Sequence, residues 1–186
     1  MEENGAEIKY SKSKKGYYLE ENSENSFTNE ELLAISKIIL ESRAFNKNET
    51  QTLINKLINH SSGNDRETIK GLINSEKSNY IPLQHGQNLL TVIWNLAQHI
   101  KNQEWIHLNY TTKDKQGKNY NIKPLSIMFS EYYFYLIAYI EDREEYPAIF
   151  RIDRITEIKD INKKFKINYL EKFKDGEFRK YIQFMH

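Results

Sequence analysis

"FSEYYFYLIAYIEDREEYPAIFRIDRI", residues 129–155, sets an apolar and aromatic run against an acidic turn and closes on two arginines three positions apart. Tyr132 to Ile140 has the composition of one strand, Tyr146 to Ile152 of a second and Ile155 to Ile161 of a third, with Glu141, Asp142, Glu144 and Glu145 on the turn between the first two. Alternate residues of a strand face opposite sides. Tyr133, Tyr135 and Tyr139 therefore share one face, and Tyr132, Phe134 and Leu136 share the other. One of these faces has to fill a core, and the other offers rings to solvent or to a flat ligand.

The same period of two begins upstream at Trp105, where Ile106, Leu108 and Tyr110 alternate with His107 and Asn109. The loop "TKDKQGK" that follows carries Asp114 and Gly117 as turn residues. Tyr120 with Ile122, and then Leu125 to Phe129, continue as further strands. Five or six short antiparallel strands joined by brief turns suggest a small barrel.

Ahead of the strands the period changes to that of a helix. Residues 88–102 place Leu89, Leu90, Ile93, Ala97 and Ile100 on one face, with Asn95, Gln98 and Lys101 opposite. Residues 28–74 form a helical module. Thr28 is an N-cap, Glu31 completes a capping box, and Phe27 and Leu32 staple the first turn. Its apolar stripes are Leu32, Ile35, Ile38 and Ile39; then Leu53, Ile54, Leu57 and Ile58; then a shorter one of Ile69, Leu72 and Ile73. "HSSGND" separates the second and third helices, and "NYIPLQHG", with Pro82 and Gly86, marks a boundary near residue 86. At the N-terminus, Ile8 to Tyr10 and Tyr17 to Leu19 frame a hairpin whose tip carries Lys12, Lys14 and Lys15, followed by the linker "ENSENS". The last residues, from Leu170, suit a helix or an incomplete unit.

The expected fold is α+β, an N-terminal helical module followed by a small antiparallel barrel. Its segments are 1–26, 27–86, 87–168 and 169–186. With 186 residues, 39% hydrophobic and 28% charged, the chain can bury one good core, or a small core with a helical appendage. The net charge of +1 divides into −2 over residues 1–87 and +3 over residues 88–186, too even a balance to name a partner.

Several chemistries find no support. The absence of cysteine excludes disulfides, zinc thiolates and thiol catalysis, and a cytoplasmic location is the simplest expectation. The longest apolar run, Tyr132 to Ile140, is far short of the roughly 20 residues that a bilayer requires, so no membrane partner is expected. Histidines 60, 85, 99, 107 and 186 lack metal-ligand spacing, and no glycine-rich loop opens a helix, so no metal or cofactor is expected. Ser61 and Ser62 precede Gly63 without a nucleophile elbow, and the acidic turn suits a solvated site where carboxylate pKa values stay ordinary. Nothing supports an enzyme.

Arg151 and Arg154 carry the sharper question. In "FRIDRI" an arginine either pairs with Asp153 or a turn carboxylate, or stays free as a planar fork for phosphate. The case for internal pairing is stronger for Arg154 than for Arg151.

At this point the sequence resembles the WYL-domain transcriptional regulators, whose Trp-Tyr-Leu tripeptide would correspond to Phe134-Tyr135-Leu136, followed by "IAY". "HLNYTTKDKQGKNYNIKPLSI" and "AIFRIDRITEI" look like the family's other strands, and the similarity covers residues 88 to about 168. The resemblance implies a ligand-sensing barrel of the Sm-like, SH3 type. It also implies that residues 7–21 are the remnant of a winged-helix wing lacking its recognition helix, and that residues 170–186 begin a C-terminal extension. The implied partner is a nucleotide or single-stranded nucleic acid, with duplex DNA reached only through a missing N-terminal domain and a homodimer as the assembly. Lys123, Tyr135, Arg151 and Arg154 are the candidate ligand residues, with His107 and Arg143 as additions. The alternative is a structural or dimerisation module, favoured if carboxylates saturate the arginines.

Overall fold

The computed structural model describes residues 7–11, 16–20, 27–42, 44–61, 63–82 and 87–166. The expected basic hairpin tip, the linker at 21–26, Gly86 of the boundary stretch and the segment from Leu170 lie outside these residues. The elements run β1 (Glu7–Ser11), β2 (Gly16–Glu20), α1 (Asn29–Glu41), α2 (Lys47–Asn59), α3 (Gly63–Ser78), α4 (Leu89–Asn102), β3 (Glu104–Thr111), β4 (Gly117–Ser130), β5 (Tyr133–Ile140), β6 (Arg143–Arg151), a 3-10 turn (Ile152–Arg154) and β7 (Ile155–Lys164). β1 and β2 form the expected antiparallel hairpin, with Ile8 opposite Leu19 and Tyr10 opposite Tyr17.

The cap at Thr28 forms as its sequence dictates: its N–H donates to Glu31 Oε2 at 2.8 Å, and the Glu31 N–H donates to Thr28 Oγ1 at 3.3 Å. α2 carries a second capping box, Asn46 with Glu49. The first three helices close over Leu32, Leu40, Ile54, Ile58, Ile69 and Ile73. This seam is narrower than the expected stripes, because Ile38 and Leu72 are exposed and the buried face of α1 steps from Leu32 through Ser36 to Leu40, one helical turn at a time. α3 also extends past the expected end at 74, to Ser78.

α4 belongs to the second core, with Leu89 and Leu96 buried and Leu90, expected inside, exposed. Gln103 takes φ 53 at its C-terminus, the left-handed turn that sends the chain straight into β3. Where α2 meets α4, Glu49 is buried and its two oxygens serve different amides. Oε2 accepts from Asn46 N–H at 3.1 Å, and Oε1 accepts from Leu90 N–H at 2.8 Å. Asn46 Nδ2 donates to the Gln87 carbonyl at 2.8 Å, and Phe45 meets Phe134 of β5 with ring centroids 5.8 Å apart.

The five later strands form one antiparallel sheet in the order β6-β5-β4-β3-β7. Among the described residues no ladder joins β6 to β7, so the expected barrel is met as an open sheet in its hydrogen bonding. Two expected strands merge into β4. Gly117 to Ile122 pairs with β3, and Ile122 to Ser130 pairs with β5. Leu125 is the extra residue of a bulge, lying between the Pro124–Ala138 and Ser126–Ile137 pairs. Pro124, which lacks an N–H, lies past the end of the β3 ladder, where only one neighbour needs bonding. Near the end of β6, the Phe150 ring centre lies 5.2 Å from that of Tyr110 and 5.3 Å from that of Tyr120. β6 begins and ends earlier than expected. Ile152 and Arg154 lie on the 3-10 turn, and Tyr132 lies in the tight turn after Glu131. Among the described residues no helix is long and apolar enough to cross a membrane.

Candidate ligand-binding face

β5 divides its side chains by parity. Phe134, Leu136, Ala138 and Ile140 pack into the core with α4, and Tyr133, Tyr135, Ile137 and Tyr139 share the other face, where Ile137 and the neighbouring Met128 are buried and the tyrosines are half-buried. Tyr135 stands opposite Met128 on β4 and Arg151 on β6.

Arg151 is held from three directions. Its guanidinium carbon lies 3.6 Å from the centre of the Tyr133 ring, a cation over a π face. Nε donates to Asp153 Oδ1 at 3.0 Å and Nη2 to Oδ2 at 2.6 Å, the bidentate geometry in which arginine binds a carboxylate. Its backbone N–H donates to the Tyr110 hydroxyl at 3.3 Å. Asp153 is buried, because the 3-10 turn swings its carboxylate back toward the end of β6. Burial opposes the Arg151 charge, but the hydrogen bonds and charge of Asp153 outweigh it and hold the guanidinium pKa above its usual value. Burial pushes the Tyr135 phenol up as well, with Arg151 pulling the other way, so Tyr135 is neutral and its hydroxyl can donate.

Arg154, at the end of the 3-10 turn, is half-buried and forms no ion pair or hydrogen bond through its side chain among the described residues. The expected preference is thus inverted: Arg151 is the paired arginine. The reason is local geometry, since the turn presents Asp153 to the residue two positions before it rather than to its immediate successor.

His107 and Lys123 belong to a different cluster. Asn121 donates through Nδ2 to Glu141 Oε2 at 2.8 Å, so its Oδ1 is an acceptor and His107 Nδ1, 2.8 Å away, carries the proton that it receives. Lys163 Nζ donates to Glu141 Oε1 at 2.9 Å. Lys123 pairs with Glu144, and both lysines lie over the Trp105 ring, Lys123 at 4.9 Å and Lys163 at 4.2 Å from its centre. The hydrogen bonds from Lys163 and Asn121 lower the Glu141 pKa, so this carboxylate is not the ordinary solvated group expected of the acidic turn. Glu144 and Glu145 lie in β6 rather than on the turn. Lys123 stands opposite Tyr139, four positions along β5 from Tyr135, about 13 Å at the usual strand rise. Arg143 opens β6, exposed and without a side-chain partner among the described residues. Of the six candidates the structure therefore brings Tyr135 and Arg151 together across the β5–β6 ladder, sets His107 and Lys123 apart in a network of their own, leaves Arg154 at the end of the 3-10 turn before β7, and leaves Arg143 alone.

Two contributors escaped the sequence argument. Tyr133 was on the correct face, and its place two residues from Tyr135 was the available signal. Glu49 gave none beyond its position three residues after Asn46. Among the described residues no group of three His, Asp or Glu side chains is placed to hold a metal ion.

A family model of the WYL domain matches residues 91–160, from the third residue of α4 to the middle of β7. This segment is a WYL domain. Phe134-Tyr135-Leu136, which resembles the Trp-Tyr-Leu tripeptide, lies on β5 with Tyr135 on the face away from α4 and its neighbours in the core. No curated protein matches the sequence. Among solved structures the chain is similar to proteasome accessory factor B/C (PafBC) of Arthrobacter aurescens, with 15% identity, a TM-score of 0.39, and coverage of 82% of this chain and 23% of that one. The chain thus spans less than a quarter of that protein's length. In the WYL domain described here, the braced Arg151 lies beside Tyr135 at one end of the face away from α4, and the His107–Asn121–Glu141–Lys163 network lies at the other.

Proposed function

We propose that the WYL domain is the ligand-sensing regulatory module of a transcriptional regulator, and that a phosphate-bearing ligand, a nucleotide or a short single strand, binds over Tyr135, Arg151 and Arg154. The carrying observation is the way Arg151 is held. Asp153 takes the Nε–Nη2 edge, Tyr133 takes one face, and Nη1 has no protein acceptor among the described residues. A guanidinium fixed in this manner loses little side-chain freedom when it meets an anion. Arg154 adds a charge that no carboxylate neutralises, and tyrosine rings beside these cations can stack bases. The role is binding rather than turnover.

The test is oligonucleotide affinity at two salt concentrations, with thermal melts alongside. Arg154→Ala should weaken binding by about 1.5–3 kcal/mol, the range for a charged hydrogen bond, without moving the melting temperature. Tyr135→Ala should weaken it by about 1–3 kcal/mol if the ring stacks a base. If wild type binds no oligonucleotide or nucleotide, or if Arg154→Ala leaves affinity and salt slope unchanged, the reading fails.

One observation favours the dimerisation alternative. Trp94 is 69% exposed on α4, one turn after the exposed Leu90, and unpaired rings of this size commonly mark contacts between proteins. Sedimentation of wild type and Trp94→Ser checks it: a dimer that dissociates in the variant supports this second role, and a monomeric wild type at high micromolar concentration rejects it.

A further inference from the structure

We infer that the groove between α1 and α3 is a docking surface for a basic amphipathic helix of a partner protein. It lies on the helical module and is independent of the ligand-binding face proposed above.

The two helices run side by side in the same direction. At one end, Leu33 of α1 with Ile69 and Leu72 of α3 forms an apolar depression bordered by Glu30 and Asp65. At the other, Leu40, Tyr80 and Ile81 form a second depression, bordered by Glu41 and Glu76. Between them Lys37 pairs with Glu76, and its Nζ donates to the Leu72 carbonyl at 3.3 Å. The Tyr80 hydroxyl donates to the Phe45 carbonyl at 2.6 Å, so the wall of the second depression is fixed before any partner arrives. Leu72 is 53% exposed and Ile81 63% exposed, apolar area that the fold itself leaves in water.

The spacing suits a helix. Residues 30–41 of α1 span about 16 Å, the length of about three helical turns. Leu33 and Leu40 lie two turns apart, so a partner helix meets both depressions with anchors at i and i+7.

The charge on the groove chooses the occupant. Four carboxylates border the two depressions, no cationic side chain is among their described lining residues, and Lys37 is committed to Glu76. Glu30 and Asp65 lie in the first turns of their helices, where the macrodipole favours a carboxylate without any partner. Glu41 has no such explanation. It is the last residue of α1, where the dipole disfavours negative charge; no basic residue shares that turn, and the side chain is exposed with no ion pair among the described residues. A lysine or arginine on the partner helix supplies the missing charge. A second copy docked through the same surface would set these carboxylates against their own duplicates, and an acidic helix would be repelled as well.

Fluorescence anisotropy with two labelled synthetic helices of about fourteen residues tests the inference. Both carry leucine at i, i+3, i+4 and i+7 on an alanine frame, and lysine flanks this stripe in one and glutamate in the other. The lysine peptide should bind wild type about tenfold more tightly at about 0.1 M salt, and the difference should shrink at about 1 M. Leu72→Gln, at an exposed position, should keep its melting temperature and weaken binding of the lysine peptide about tenfold. Glu41→Gln should raise the melting temperature by relieving the dipole and yet weaken that binding, a pairing that a merely structural carboxylate would not give. Equal binding of the two peptides, or a lysine-peptide affinity unchanged in both variants, overturns the inference. So does a wild type that binds neither peptide; if it then sediments as a dimer that Leu72→Gln dissociates, the occupant is a second copy instead.

Discussion

Arg151 and Arg154 are three positions apart, yet only the first is tied down, and their substitutions should differ accordingly. Arg151→Ala leaves the buried Asp153 carboxylate without its bidentate partner and should lower stability by about 1.5–3 kcal/mol in urea denaturation. Arg154→Ala, with no side-chain partner to lose, should stay within about 0.5 kcal/mol of wild type. Equal losses in the two variants would contradict the assignment. Ser36 poses the opposite case. It is fully buried on α1 between Leu32 and Leu40, and its hydroxyl has no hydrogen-bond partner among the described residues. Ser36→Ala removes an unsatisfied polar group and supplies a better helix former, so it should raise stability by about 1 kcal/mol. A destabilised variant would mean that the hydroxyl has a partner after all. The sequence placed Ser36 mid-helix but could not signal its burial, because the expected apolar stripe ran through Ile35, Ile38 and Ile39 instead.

Helix starts are local events, and so they were legible. At Thr28 the cap, the N3 glutamate and the staple residues all lie within a few positions of each other. The joint between α2 and α4 is not local. Glu49 caps its own helix with one oxygen and receives an amide of α4 with the other, across 41 residues of chain. Glu49→Ala should expose the Asn46 and Leu90 amides to hydrogen exchange and lower stability by about 1–3 kcal/mol. Glu49→Gln, which keeps one carbonyl oxygen, should lose less. Unchanged protection at Leu90 in the alanine variant would remove the joint. In the sheet, alternation identified strands correctly, but it divided β4 in two at Pro124. A bulge at Leu125 lets the strand continue through a residue that lacks an N–H, and a bulge leaves no periodic mark.

Across the whole sheet, the His107–Asn121–Glu141–Lys163 network links β3, β4, the β5–β6 turn and β7 by side chains. The folded-state pKa of Glu141 is lowered, so its contribution is fully present above the unfolded value near 4.3 and is lost as pH falls through the folded one. Wild type should therefore melt above Glu141→Gln at neutral pH, and the gap should close as pH drops below about 4.3. Because the carboxylate is open to water, the gap should also narrow in high salt. A gap that persists unchanged in acid would show that the ion pair does not contribute.

From the sequence alone came the α+β order, the capped start of α1, the hairpin pairing at the N-terminus, the parity that sets Tyr135 opposite the core, and the WYL resemblance. Each depends on residues within a turn or a strand of one another, where backbone geometry dictates what neighbours can do. Only the tertiary structure decided that Asp153 serves Arg151 rather than Arg154, that His107 and Lys123 stand apart from Tyr135, and that Glu49 fastens α4. The Glu49 joint and the strand register around Leu125 are settled by long-range packing, and the aim of the Asp153 carboxylate by a 3-10 turn whose conformation no spacing of residues along the chain encodes.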